Sequence, residues 1–327
     1  MLALALPLSF FLVTLETAIG SFIVLFLLDV YGGLATTRLI AQTNAKLSAK
    51  SAEASEETPA TPAKTLTVAQ AQKRVGVTRG FLVFQGVLYL VLALLAWWFG
   101  SFFATPAVFA GVKGFYQQYP IDRPWLDAQF TPLYVFMALL LVYNVLLWLN
   151  ARLPRWIVGV LTCLAGVAQL LVIGMAYRPL AAESLGGAFT IGSILVGALG
   201  LGGVLTAMLL GHWYLNTPTA SGKPLEFAIL VTLIGFGLEL VFSFFTHSTV
   251  PAGLPQLGTP PISASGLSLI RFIFGFLFTL GLGALAYRLT RGRSFQSATG
   301  MLYLAVAFAF TGEIMARGLF FLPPTLR

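Results

Sequence analysis

Charged side chains are scarce in this chain of 327 residues: only 9% are Asp, Glu, Lys or Arg, whereas about a quarter is usual for a soluble domain. Hydrophobic residues make up 58% of the chain. A water-soluble fold cannot remove that much apolar side chain from its surface. The lipid bilayer must therefore be the solvent for most of the protein.

Cysteine and histidine are almost absent as well. The one cysteine, Cys163, lies in an apolar run, which excludes disulfide frameworks, cysteine zinc sites and iron–sulfur ligation by this chain alone. The two histidines, His212 and His247, fall at opposite ends of predicted spans and cannot share one iron. We therefore expect no haem or metal in this chain. P-loop, HExxH and GxSxG motifs are missing too, so we expect no covalent catalysis by this chain.

The apolar runs have the length of membrane helices. Lipid leaves only helices and closed barrels as spanning structures, and alternating ten-residue strands are not seen. The N-terminal run has no basic segment before it, so we interpret it as a first membrane helix and not as a cleaved signal peptide. We predict an all-α integral membrane protein with eight transmembrane helices, at roughly 6–30, 80–102, 131–149, 155–177, 188–211, 225–246, 266–288 and 296–321.

The positive residues predict how these helices are oriented. The net charge of +8 does not indicate nucleic-acid binding, because Lys and Arg are spread over the loops at helix ends. Thirteen of them fall on one side of the predicted membrane and four on the other. The richer side should be cytoplasmic, which places both termini on the outer side. The long first loop supplies most of this bias.

The chain divides into three parts by composition. Residues 1–40 carry the first transmembrane helix, and residues 76–327 form the seven-helix remainder of one membrane domain. Between them, 41–75 is rich in Ala, Ser, Thr, Lys and Glu and has no apolar period. We predict a flexible cytoplasmic loop there.

Ionisable residues away from the ends of the predicted spans gather at one depth. They are Glu16, Glu239, Arg271, Glu313 and Arg317. At about 1.5 Å per residue, four of them lie in the outer half of the membrane and Glu16 lies near its middle. Independent helices have no reason to agree on depth, and charges in a bilayer need partners. We therefore expect helices one, six, seven and eight to bring these side chains together.

The predicted cluster has one carboxyl more than it has arginines, so one carboxyl is free to exchange a proton. The candidates are Glu16, Glu239 and Glu313. Glu313 and Arg317 are four residues apart and can pair on one helix face. The opposing interpretation is that the charges only hold helices together.

A polar stripe favours a ligand or proton site over simple helix pairing. Glu239, Ser243 and His247 follow one another at intervals of four residues, which predicts a path along helix six from the charges to the outer water. A purely structural ion pair needs no such path.

Two segments resemble a known family. The last apolar run contains GEIMARGLFF (312–321) and the first contains LPLSFFLVTLETAIGSF (6–22). The former is similar to the closing helix of the membrane anchor subunits of dimethyl sulfoxide and polysulfide reductases, the NrfD-like family. That helix shows a Gly-Glu pair, an Arg one turn later and then aromatic residues. The first segment is also similar in its Pro-Leu pair, its Phe and a polar residue before Gly.

The resemblance implies a quinone- or quinol-interacting membrane anchor subunit of a respiratory or photosynthetic oxidoreductase. Such a subunit exchanges protons with the quinone and passes electrons to or from an iron–sulfur partner on the outer face. Glu313 and Arg317 are the positions that match the family's motif. Under the quinone hypothesis, the carboxylates named above would exchange the proton, and Arg271, Arg317, Ser243 and His247 would bind the quinone. We expect a multi-pass protein of the bacterial inner (cytoplasmic) membrane, in contact with lipid and with other subunits.

Two other functions fit the same residues. The chain could be a non-catalytic scaffold subunit of a larger membrane complex, with the charges serving as structural contacts. It could also be a small-solute or ion transporter, although such proteins often show repeated halves, and none is evident here.

Overall fold

The fold is described from a computed structural model, for residues 5–54, 65–111, 121–182, 185–245, 247–248 and 264–319. The helices in this part of the chain are α1 (Ala5–Ala54), α2 (Val68–Val75), α3 (Arg79–Phe103), α4 (Pro106–Gly111), α5 (Arg123–Ala128), α6 (Phe130–Trp148), α7 (Arg152–Tyr177), α8 (Ala188–Tyr214), α9 (Lys223–Ser243), α10 (Ala264–Ile270), α11 (Thr279–Arg291) and α12 (Phe295–Leu319). A π-helical segment, Arg271–Phe278, joins α10 to α11 without a break.

Within the described residues, eight helices are long and apolar enough to cross a membrane. Each overlaps one of the predicted spans, so the prediction of an all-α, multi-pass membrane protein is confirmed. The outward faces of these helices are apolar and contact lipid; Trp148, Leu153 and Leu164 are among the most exposed hydrophobic residues. Which side the termini occupy stays a prediction, and "outer" and "inner" below refer to that prediction.

The segment predicted as a loop at 41–75 contains more helix than expected. The first helix continues without interruption to Ala54, and Val68–Val75 forms α2. The physical reason is composition, because Ala, Lys, Gln and Leu are strong helix formers even without an apolar period. The Thr67 side chain and Gln70 form a capping box at the start of α2. Residues 55–64 of the predicted loop lie outside the described residues.

The two most deeply buried spans are α1 and α8, and the other spans surround them. These two helices approach each other at Gly20 and Gly202, where a Cβ atom on Gly202 would overlap the backbone of Gly20. A second close approach joins α8 to α9, where Gly200 faces Gly235. Small residues allow such backbone contact in lipid, where there is no hydrophobic drive to bring helices together.

Short elements connect the spans on the predicted outer side. The loop between α3 and α6 contains α4 and α5, and Ala181–Ala182 pairs with His247–Ser248 as two antiparallel two-residue strands. This pairing ties the connection that follows α7 to the one that follows α9.

We predict that the contact between α1 and α8 sets the stability of the bundle. Replacing Gly202 with Ala should destabilise the folded protein by about 1–3 kcal/mol, because the new methyl group has no space beside Gly20. Thermal unfolding in detergent measures this change. Gly281→Ala is the matched control, since a Cβ there meets no atom within 4 Å. Equal melting temperatures for the two variants would contradict the prediction.

Candidate functional site

One nitrogen atom of Arg317 lies against three carboxylates. Its Nη2 atom donates to Glu16 Oε2 at 2.7 Å and forms ion pairs with Glu313 Oε2 at 3.1 Å and Glu239 Oε1 at 3.7 Å. Helices α1, α9 and α12 supply these groups, and Glu313 and Arg317 pair along one face of α12 as expected. The predicted convergence of the ionisable residues is therefore confirmed.

Glu239 connects Arg317 to the second arginine of the cluster. Its Oε1 atom accepts hydrogen bonds from Arg271 Nη2 and from Ser193 Oγ, both at 3.3 Å. The carboxyl groups of Glu239 and Glu313 adjoin each other beside Arg317. We call Glu16, Glu239, Arg271, Glu313 and Arg317 the outer charge cluster.

The outer charge cluster lies inside the protein and not against lipid. The side chains of Glu16, Glu313 and Arg317 are 1% exposed, and that of Glu239 is 0% exposed. Arg271 differs, with 16% of its side chain exposed. Buried charges persist only when they are paired and hydrogen-bonded, and Arg271 is the most exposed of the five groups.

Arg271 is positioned by an unusual helical geometry. It is the first residue of the π-helical segment Arg271–Phe278, and its guanidinium lies 5.2 Å from the centre of the Phe276 ring. In the same segment Gly275 packs against Gly312 of α12, where a Cβ atom on Gly275 would lie 3.0 Å from the Gly312 Cα. Single π turns inside α-helices are frequent at functional sites.

Helix α8 supplies two members of the site that sequence reasoning missed. Ser193 donates to Glu239. A Cβ atom on Gly197 would lie 2.9 Å from Arg317 Nη2 and 3.0 Å from Glu239 Oε2, so the missing side chain makes room for the cluster. Several glycines lie close together at 197–203, and no signal in the sequence distinguishes Gly197 from the others.

The charge balance of the cluster is uneven. Three carboxylates meet two guanidiniums, which leaves one uncompensated negative charge when all five groups are ionised. A buried, uncompensated charge is costly, and one proton held among the three carboxyl groups restores neutrality. Glu16 Oε1 has no hydrogen-bond partner among the described residues, so it has a free position to accept one. The arrangement is therefore suited to hold and release a proton.

The structure differs from the polar stripe predicted on the sixth span, which is helix α9. Helix α9 ends at Ser243, and the Ser243 hydroxyl donates to the Leu240 carbonyl one turn back, at 2.7 Å, and not toward the cluster. His247 lies in a strand beyond the helix end, paired through its backbone with Ala182. The helix therefore ends four residues before His247, and the four-residue spacing does not continue to it.

A further buried charge pair lies near the predicted inner side, where none was expected. Arg155 donates to both carboxylate oxygens of Asp29, at 2.7 and 2.9 Å, and the Tyr143 hydroxyl donates to the same carboxylate at 2.9 Å. Asp29 is 2% and Arg155 6% exposed. In the predicted spans, 6–30 and 155–177, both residues lie at or next to an end. Asp29 lies within the helix because α1 continues beyond residue 30. The apolar residues that precede Asp29 in the sequence could have indicated this position.

Comparisons of the chain with protein-family models, curated proteins and solved structures gave no significant match. The resemblance of the first and last helices to the NrfD-like family therefore stays a prediction.

Replacing Arg317 with Gln should destabilise the protein by about 3–5 kcal/mol, because three buried carboxylates would lose their shared partner. The unfolding temperature in detergent measures the loss. Adding Glu16→Gln should restore part of it, since this removes the carboxylate closest to Arg317.

Arg291→Gln is the control, because Arg291 is an exposed arginine at the far end of α11. If Arg317→Gln were no less stable than this control, the ion pairs would not contribute to the fold. If Glu16→Gln gave no recovery, the two residues would not be coupled.

Proposed function

We propose that this protein is a quinone- or quinol-interacting membrane subunit of an oxidoreductase complex and that the outer charge cluster exchanges the quinone's protons. The observation that carries the proposal is the meeting of three buried carboxylates at one guanidinium nitrogen with an excess of one negative charge. Reduction of a quinone consumes protons as well as electrons, so a quinone site needs a nearby group that gives and takes protons.

The residues divide into two roles under this proposal. Glu313, Glu239 and Glu16 share the exchangeable proton, and Arg317 holds their carboxyl groups in place. Arg271, whose side chain is 16% exposed, would donate a hydrogen bond to a quinone oxygen. Arg271 also donates a hydrogen bond to Glu239. A quinone bound to Arg271 would therefore lie close to the carboxyl groups that share the exchangeable proton.

The chain needs partners to carry out this function. A single cysteine and two histidines offer no set of ligands for a redox centre, so electrons would come from or go to another subunit. By its resemblance to the NrfD-like family, that subunit is an iron–sulfur protein on the outer face. The positive residues favour an orientation with both termini outside, which puts the cluster on the side of this partner.

A scaffold function has one observation in its favour. The contacts of Arg317 described above are all made within the bundle, and this residue is almost completely buried. Such a network could serve only to fix how α1, α9 and α12 pack. In that case the charges would matter for assembly and not for turnover.

Glu313→Gln distinguishes the two functions. It keeps the size of the side chain and removes the exchangeable proton, so quinol turnover per assembled complex in membranes should fall by about 100-fold or more, as for loss of a general acid–base group. Glu226→Gln, a carboxylate at the opposite end of α9, is the control and should leave turnover unchanged. Unchanged turnover in an intact Glu313→Gln complex would exclude the quinone function. Reduced assembly with normal turnover would favour the scaffold.

A further inference from the structure

A polar cavity lies at the predicted inner end of the bundle, away from the outer charge cluster. Its volume is about 170 Å³, several times the ~30 Å³ share of one water molecule in the liquid. Residues from α1, α2, α3 and α7 line it, among them Thr36, Arg79, Arg152 and Arg155. Proton exchange at the outer charge cluster gives no role to these residues.

The three arginines of this cavity are not equally neutralised. Arg155 is bound through two nitrogen atoms to Asp29, so its charge is matched. Arg79 donates to the Trp148 carbonyl, and Arg152 donates to Thr37 Oγ1 at 3.1 Å. Neither forms an ion pair with a carboxylate of the described residues. Two exposed positive charges at the rim of the cavity are therefore without a direct carboxylate partner in the described part of the chain.

A buried hydroxyl adds an independent sign that the cavity takes a ligand. Thr36 is 4% exposed and lines the cavity. Its Oγ1 atom has no hydrogen-bond partner among the described residues. A buried polar atom without a partner is costly, and an acceptor atom in the cavity would satisfy it.

One helix end increases the positive potential. Helix α7 begins at Arg152, in the wall of the cavity, whereas the start of α3 is already capped, because the Thr78 hydroxyl accepts a hydrogen bond from the Phe81 N–H. The residue before α7, Ala151, provides no side-chain cap for the first backbone N–H groups. Helix N-termini with free N–H groups favour anions.

We propose that this cavity binds a phosphate group. Arginine presents paired N–H donors that match phosphate oxygens, and Thr36 supplies a hydroxyl donor. Two sources share this chemistry, the headgroup of an anionic phospholipid and a soluble phosphate compound. The exposed Trp148, Leu149 and Leu153 at the same helix ends place the cavity near the membrane surface, where both sources are available.

An apolar groove beside the cavity provides a way to separate the two sources. It has a volume of about 670 Å³ and is lined by Phe26, Val30, Trp156 and Phe227, with Lys223 the charged residue of its wall. Arg152 stacks on Trp156 at 4.9 Å, which joins the wall of the groove to the rim of the cavity. The groove is large enough for an acyl chain of a lipid whose phosphate occupies the cavity.

The test compares the purified full chain with the double variant Arg79→Gln, Arg152→Gln. Inorganic phosphate binding is measured by calorimetry in detergent, and phosphatidylglycerol binding is measured against phosphatidylcholine by native mass spectrometry. Each lost guanidinium should weaken binding about tenfold, or about 100-fold for both. Arg288→Gln, Arg291→Gln is the control, because it removes the same charge at the same end of the bundle from exposed residues.

Thr36→Val is the second variant and keeps both arginines and the side-chain shape. It should weaken binding by about two- to tenfold, as loss of one hydrogen bond does, and it decides the test should the double variant fail to fold. Binding of phosphatidylglycerol alone would identify the source as lipid, and binding of inorganic phosphate would identify a soluble compound. No binding of either, or equal binding by Thr36→Val and the unaltered chain, would overturn the proposal.

Discussion

The ion pairs of Arg317 are the constraint on which the arrangement of this membrane domain depends. A guanidinium buried in a bilayer protein must be matched by carboxylates, and here one nitrogen is matched by residues far apart in the sequence, Glu16 near the start and Glu239 in the ninth helix. This requirement fixes the rotation of α1, α9 and α12 about their own axes. Lipid-facing packing alone would not, because apolar side chains contact lipid and protein equally well.

The glycines serve the same requirement. The approach of Gly20 to Gly202 brings α1 against α8, and the absence of a side chain at Gly197 leaves room for the Glu239 and Arg317 head groups. The central helix α8 contributes no charge of its own to the cluster. It contributes the space left by Gly197 at the depth of the cluster, and the Ser193 hydroxyl that donates to Glu239. The buried ion pairs therefore depend on the close backbone packing that these glycines allow.

The sequence was sufficient for the spans and for the convergence of Glu16, Glu239, Arg271, Glu313 and Arg317, because hydropathy sets the spans and an isolated charge in lipid needs a partner. It was not sufficient for Ser193 and Gly197, whose roles depend on how α8 is rotated. The continuation of α1 to Ala54 was missed because that segment is helical by propensity and not by apolar pattern. The predicted path to His247 is not seen, because α9 ends at Ser243 and His247 lies in a strand beyond it.

The wide turn at Arg271–Phe278 has a geometric consequence. A π turn holds one residue more than an α turn, and one residue corresponds to about 100° of rotation in an α-helix. If this segment took up α-helical geometry, α10 and Arg271 would rotate about the helix axis relative to α11. Arg271 would then face away from Glu239. The π-helical backbone geometry therefore determines the direction in which the Arg271 guanidinium points.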